Sequence, residues 1–210
     1  MRLINSIIYP FIFVCLLWLI MIFQYVSHIN LGGFGVFPRH VDGLIGIITM
    51  PLIHANYSHL ISNTLPFLIL GSGLNYFYPD IATRVWAIIY ILTGTLVWLF
   101  ARTSEHIGAS GIIYGLAAFL LFEGIFRKDI RLMAISLLVT IFYGGIIWGV
   151  FPGNPQVSWE GHLFGALSGI FAAYIYKKKG AKPHKHDWEN EEDKEEDGRH
   201  HISHYYEVKP

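Results

Sequence analysis

The residues best suited to chemistry are one serine and one histidine in apolar, glycine-rich segments. Ser110 lies in "GASGIIYG", and His162 lies in "GHLFGALSG". A neighbouring imidazole that accepts the hydroxyl proton is a common way to activate a serine for nucleophilic attack. We therefore interpret Ser110 as a candidate nucleophile and His162 as its candidate general base.

Both segments contain glycines at helical spacing. One segment has Gly161, Gly165 and Gly169, and the other has Gly108, Gly111 and Gly115. Small residues every four positions let membrane helices approach closely. If two helices pack through these glycines, the Ser110 hydroxyl and the His162 imidazole come within hydrogen-bond reach. A lone serine in such a helix usually has only a packing role, so the conjunction of these groups is what favours chemistry.

A third segment, "HANYSHLISN", places polar side chains in a run that is otherwise long enough to cross a membrane. His59 and Asn63 are four residues apart, so they share one face of a helix. We expect both to donate hydrogen bonds to a developing oxyanion, together with the backbone N–H of Ser110. His54 is five residues from His59, so we expect it on a different face, in a structural role.

A carboxylate that could orient His162 is hard to find. Glu160 is only two residues away and should point elsewhere, and Glu105 precedes the helix of Ser110. Glu123 lies about 20 Å further along that helix, at about 1.5 Å per residue. The sequence therefore predicts a Ser–His dyad without an acid.

A zinc site is the chemical alternative, because His54, His59 and His162 could be three ligands. The chain has no His-Glu-x-x-His pair, and a spacing of five does not aim two imidazoles at one metal. We favour the dyad and expect neither a metal nor a cofactor.

The composition predicts the elements that must position these residues. The chain is 53% hydrophobic and 14% charged, with a mean hydropathy of +0.45. These values are typical of an all-α, polytopic membrane protein. Residues 1–176 form the predicted membrane domain, a bundle of six spans. They cover about residues 7–26, 52–76, 85–101, 110–126, 132–151 and 161–176.

The remaining residues, 177–210, differ sharply in composition. They hold 8 of the 15 Lys and Arg residues and 9 of the 15 Asp and Glu residues. Such a segment is too charged to pack, so we predict a disordered tail. Its five histidines could bind a metal weakly, but a solvated tail is the favoured interpretation.

The positive charges predict the orientation of the six spans. Eight fall on one side and two on the other, and the more positive side is expected to be cytoplasmic. The eight are Arg2, Arg84, Arg127, Lys128, Arg131 and Lys177–Lys179, and the two are Arg39 and Arg102. Both termini are then cytoplasmic. The polar groups of the second, fourth and sixth spans share one depth near the outer face.

At these motifs the chain resembles the rhomboid family of intramembrane serine proteases. "HANYSHLISN", "GASGIIYG" and "GHLFGALSG" occur in the family's order on alternate spans, and the resemblance covers about residues 35–176. It implies a six-helix bundle with a water-filled cavity, in which Ser110 is the nucleophile and His162 the base. It also assigns oxyanion and supporting positions to His59, Asn63, His54, Gly108 and Tyr114.

The resemblance implies the partners as well. Substrates would be membrane-anchored proteins cut within or beside a transmembrane segment, and we expect membrane lipid but no nucleic acid as a further partner. The short chain suggests a bacterial plasma membrane. The first outer loop, about residues 28–50, lacks the Trp-Arg pair of many members and has "FPRHVDG" instead. The alternative function is that of a non-catalytic rhomboid-like substrate-binding or trafficking protein.

Overall fold

A computed structural model describes residues 2–142, 148–152 and 157–177 of the chain. These residues form seven α-helices, and only Val36 and His106 pair as an isolated antiparallel bridge. The helices are α1 (Arg2–Ser27), α2 (Gly46–Thr49), α3 (Tyr57–Phe77), α4 (Ala82–Phe100), α5 (Ser110–Arg127), α6 (Ile130–Phe142) and α7 (Trp159–Tyr176). The 3-10 helices are Gly32–Phe34, Val41–Leu44, Met50–Leu52 and Trp148–Val150. The all-α prediction is therefore confirmed for the part of the chain that is described.

Three of the described helices are long and apolar enough to cross a membrane. They are Leu3–Ser27 within α1, α4 and α5. A fourth span results if Val41–Leu52 and α3, which meet at a bend of 68°, cross together. The predicted spans 132–151 and 161–176 correspond to α6 and α7, and residues 143–147 of the former lie outside the described residues. The count of six spans stays a prediction. The disorder of the tail also stays a prediction, because residues 178–210 lie outside the described residues.

The start of α3 corrects the predicted boundary of the second span. Asn56 caps the helix, because its side chain accepts the backbone N–H of His59 at 2.8 Å. An N-cap side chain satisfies one of the N–H groups that the first helical turn leaves free. The helix therefore begins at Tyr57, not near residue 52, and His54 lies before it in a non-helical segment.

Helix α5 forms the centre of the bundle. It packs against α3, α4, α6 and α7, and its side chains Leu116, Phe119 and Leu120 are fully buried. Helix α1 packs on α3, where the indole N–H of Trp18 donates to the hydroxyl of Thr64 at 3.1 Å. Because α5 contacts four other helices, its first residue is held at a fixed height in the bundle.

The packing of α5 against α7 follows the predicted glycine pattern. A Cβ atom added to Gly165 would overlap the carbonyl oxygen of Gly111, and one added to Gly169 would overlap that of Gly115. The two backbones are therefore in direct contact over at least one helical turn. Such an approach is possible only for residues without a side chain.

The first outer loop is anchored without an adjacent Trp-Arg pair. The Arg39 guanidinium donates to the carbonyl oxygen of Ala101 at 2.7 Å, and the indole of Trp98 donates to that of His40 at 2.9 Å. Val36 and His106 exchange two backbone hydrogen bonds of 2.9 Å. These contacts fix the loop on the connection between α4 and α5, which leads directly to Ser110.

Candidate active site

Ser110 and His162 are in direct contact at neighbouring ends of two packed helices. Ser110 is the first residue of α5, and His162 lies in the first turn of α7. The Nε2 atom of His162 is 2.8 Å from the Ser110 hydroxyl oxygen, and its Nδ1 atom is 2.8 Å from the carbonyl oxygen of Gly149. A carbonyl oxygen only accepts, so Nδ1 carries the proton and Nε2 is left to accept the proton of the hydroxyl.

The plane of the His162 ring is fixed by an aromatic neighbour. The ring of Tyr114 stacks on it with 4.2 Å between the centroids and 6° between the planes. Tyr114 is one turn beyond Ser110 on α5, as its i,i+4 spacing predicts. A Cβ atom at Gly149 would overlap the Tyr114 hydroxyl and lie 2.9 Å from Nδ1 of His162. The imidazole is thus held between the Tyr114 ring and the Gly149 backbone.

His59 and Asn63 lie on α3 and face the same cavity as the serine. The Asn63 carboxamide is buried, and its Nδ2 donates to the carbonyl oxygen of His59 at 2.9 Å. Because the amide nitrogen carries two protons, one remains available to a ligand. The backbone N–H of Ser110 belongs to the first turn of α5, whose N–H groups lack partners within the helix. The residues that carry these donors line the same cavity as His59.

His54 does not occupy the position that its spacing predicts. We expected it on a different face from His59, but the two rings are 5.0 Å apart with an interplanar angle of 67°. The prediction was wrong because it assumed one continuous helix, whereas α3 begins only after His54. Its Nε2 atom accepts the backbone N–H of Ala109 at 3.3 Å, so it supports the residue directly before Ser110.

Gly108 also has a role different from the predicted helix packing. Its φ is +111°, a value that residues with side chains rarely adopt. A Cβ atom there would lie 2.6 Å from Cε1 of His59. The residue therefore lets the chain turn closely past the His59 ring before α5 begins, and the three atoms nearest to the added Cβ all belong to that ring.

Of the three carboxylates considered above, two pair with arginines, and Glu105 lines the same cavity as Ser110. Glu160 pairs with Arg102 at 3.5 Å, and Glu123 pairs with Arg127 at the far end of α5. Gly149, which the sequence analysis did not single out, supplies a backbone acceptor instead. Every residue has a backbone carbonyl oxygen, so no pattern of side chains in the sequence could have identified this acceptor.

One cavity of about 1020 Å³ connects these groups. The residues that line it include His59, Asn63, Ser110, Tyr114, Gly149, Ser158 and His162. Among the residues that the structure describes, no three His, Cys, Asp or Glu side chains gather where they could hold a metal ion.

A family model described as "Rhomboid domain" matches residues 42–179, which is most of the chain. The chain belongs to the rhomboid family. It is therefore an integral membrane protein with a polytopic membrane domain, and the resemblance read from the three motifs is confirmed. The match contains every residue of the site described above.

Several curated proteins are similar to this rhomboid. An uncharacterized protein of Mycobacterium tuberculosis is 42% identical over 174 residues, which cover 78% of this chain and 72% of the relative. An uncharacterized protein of Mycobacterium leprae is 37% identical, and the match covers 78% of this chain and 68% of the relative. Rhomboid-related protein 2 of Mus musculus is 28% identical, and the match covers 60% of this chain and 46% of the relative.

Proposed function

We propose that this rhomboid is a serine endopeptidase that cleaves membrane-anchored proteins within or beside a transmembrane segment. The observation that carries the proposal is the contact between Ser110 and His162, whose Nδ1 is tied to a carbonyl oxygen. That arrangement supports proton transfer from the hydroxyl to Nε2. Membership of the rhomboid family supports a membrane protein as the substrate.

The proposed reaction has two halves. Ser110 Oγ attacks the scissile carbonyl carbon while His162 Nε2 takes the hydroxyl proton, which gives a tetrahedral oxyanion. Asn63, His59 and the backbone N–H of Ser110 are the candidate donors to that oxyanion. His162 then returns the proton to the leaving amine as the peptide C–N bond breaks. Water hydrolyses the remaining ester in the same way and regenerates the hydroxyl.

The proposed setting is a bacterial plasma membrane crossed six times, with both termini cytoplasmic. In that orientation the cavity opens towards the outside, where water for hydrolysis is available. The substrate helix would enter sideways between α3 and α6 and unwind so that its carbonyl reaches Ser110. Polar side chains within membrane segments are expensive, which supports a functional role for those around the cavity.

The test is cleavage of a membrane-anchored reporter in liposomes by wild type, Ser110→Ala and His162→Ala. We expect wild type to cut the reporter and both variants to lose at least about a hundredfold in rate. Purified wild type should also react with a fluorophosphonate probe, and Ser110→Ala should not. A wild type that neither cleaves nor reacts would contradict the proposal and favour a non-catalytic substrate-binding protein. Undiminished cleavage by either variant would reject the dyad.

A further inference from the structure

A second serine–histidine contact joins the segments that lead into α5 and α7. His106 is four residues before Ser110, and Ser158 is four residues before His162. The Nδ1 atom of His106 is 2.6 Å from the hydroxyl oxygen of Ser158. The connections that lead into α5 and α7 are therefore joined by side chains just before the helices bring Ser110 and His162 together.

The proton positions in this second contact follow from its neighbours. The Nε2 atom of His106 is 3.0 Å from the carbonyl oxygen of Arg102, so Nε2 carries a proton and Nδ1 accepts one from Ser158. His106 is only 1% exposed, and burial lowers the pKa of its imidazole. The neutral ring that this hydrogen-bond pattern requires is thus the form that the surroundings favour.

Ser158 has a second role at the same oxygen. It is the N-cap of α7, and its Oγ accepts the backbone N–H of Gly161 at 3.2 Å. One hydroxyl therefore caps the start of the helix that carries His162 and donates to the loop that leads to Ser110. A shift of α7 relative to that loop has to break one of these two hydrogen bonds.

The loop side of the contact is itself held in place. His106 exchanges two backbone hydrogen bonds with Val36 of the first outer loop, each 2.9 Å long. The Arg102 guanidinium donates to the carbonyl oxygen of Val157 at 2.8 Å and pairs with Glu160 at 3.5 Å. The start of α7 is thus tied at three successive points to a fixed segment.

We propose that His106 and Ser158 are a positioning pair that sets the height and rotation of α7 relative to α5, so that His162 meets Ser110. The inference rests on the proposed peptidase function. Neither residue takes part in the bond-making steps. The pair acts by keeping the imidazole at hydrogen-bond distance, where a misplacement of about 1 Å can cost about a hundredfold in rate.

The decisive variant is Ser158→Gly, measured with the reporter in liposomes. Glycine is a tolerated N-cap, with a cost of only a few tenths of a kcal/mol, so α7 should still form. The link to His106 is lost, and we expect kcat to fall about 10- to 100-fold with KM changed less than about twofold. Ser158→Thr retains a hydroxyl and should restore most of kcat.

Two further variants separate positioning from a general loss of structure. Ser168→Ala removes a hydroxyl from the same helix, but one that donates to the carbonyl oxygen of Phe164 within that helix, at 2.7 Å. It should keep wild-type kcat. His106→Asn offers an acceptor near the position of Nδ1 and should retain more activity than His106→Leu, which offers none. If Ser158→Gly fails to fold, this asparagine–leucine comparison decides the question.

The outcomes distinguish this inference from the proposed function. A wild type that cleaves while Ser158→Gly keeps its full kcat would overturn the positioning role alone. Fluorophosphonate labelling at Ser158 in Ser110→Ala would also overturn it, because Ser158 would then be a nucleophile. A wild type that neither cleaves nor reacts would remove the function and the inference together. A lower kcat in Ser158→Gly, restored in Ser158→Thr, would establish the pair.

Discussion

At the scale of single residues, a backbone oxygen stands where many serine hydrolases have a carboxylate. The carbonyl of Gly149 keeps the proton of His162 on Nδ1 and leaves Nε2 to face Ser110. A neutral carbonyl orients an imidazole but stabilises the imidazolium less than an ionised acid would. The orientation of His162 therefore depends on the exact path of the backbone at Gly149 and on the stacked ring of Tyr114.

Gly149→Ala tests this dependence. The added methyl group would overlap the Tyr114 hydroxyl and lie 2.9 Å from Nδ1 of His162, so the stacked rings must move. We expect the initial rate of reporter cleavage to fall at least about tenfold. Gly33→Ala is the matched control, because nothing lies within 4 Å of the position of its added methyl group. Equal rates for the two variants would show that the fit at Gly149 does not matter.

At the scale of helices, the contact of α5 with α7 determines whether the two candidate catalytic residues meet. Ser110 and His162 can form a hydrogen bond only when the backbones of α5 and α7 are in contact. Gly165 and Gly169 allow that close approach. Lipid tails are as apolar as the helices, so close packing, not exclusion from water, holds such a pair together. The glycines thus support both the packing of the bundle and the contact of Ser110 with His162.

Gly165→Ala should damage both properties. Its methyl group would overlap the carbonyl oxygen of Gly111, and such overpacking costs about 1–3 kcal/mol. We expect a lower unfolding temperature in detergent and slower fluorophosphonate labelling of Ser110. The control is Gly73→Ala on α3, whose added methyl would lie 3.6 Å from a Leu120 carbon, an ordinary contact. A Gly165→Ala protein with wild-type labelling would contradict the packing argument.

The sequence predicted the features that side-chain type and helical spacing determine. The glycine repeats predicted the approach of α5 and α7 that brings Ser110 to His162, whereas the supporting position of Tyr114 beside the His162 ring was implied by the resemblance to the rhomboid family. The predicted face of His54 was wrong. Asn56 offered a capping signal that would have placed the start of the helix after His54. A mostly apolar segment conceals such a break, because the mean hydropathy of a span-length window is little changed by one capping residue.

Other features had no readable pattern or were overlooked. The acceptor at Gly149 is a backbone atom, which every residue possesses, so only the fold can bring it to His162. The contact of His106 with Ser158 did leave a signal, since the two residues have the same separation in sequence as Ser110 and His162. Both lie in loops, where periodicity gives no guidance, and the signal becomes meaningful only once α5 and α7 are known to pack.

At the scale of the whole molecule, the two ends of the bundle differ in charge. Contacts between Asn75 and the carbonyl oxygen of Ser6 and between Arg127 and that of Tyr176 join helix ends opposite the cavity. The positively charged residues at that end include Arg84, Arg127, Lys128, Arg131 and Lys177, and the acidic residues there include Asp80, Glu123 and Asp129. Arg39 and Arg102 lie at the cavity end, where both are bound to backbone carbonyl groups. The excess of positive charge therefore favours a cytoplasmic location for the end opposite the cavity.

Two exposed aspartates test that orientation with one chemical change. Asp42 lies in the first outer loop at the cavity end, and Asp80 lies between α3 and α4 at the opposite end. In a Cys15→Ser background expressed in bacteria, Asp42→Cys should react with a membrane-impermeant maleimide in intact spheroplasts. Asp80→Cys should react only after the membrane is permeabilised, because the positive end is retained inside. The reverse pattern would place the cavity towards the cytoplasm and leave Ser110 without access to substrates from outside.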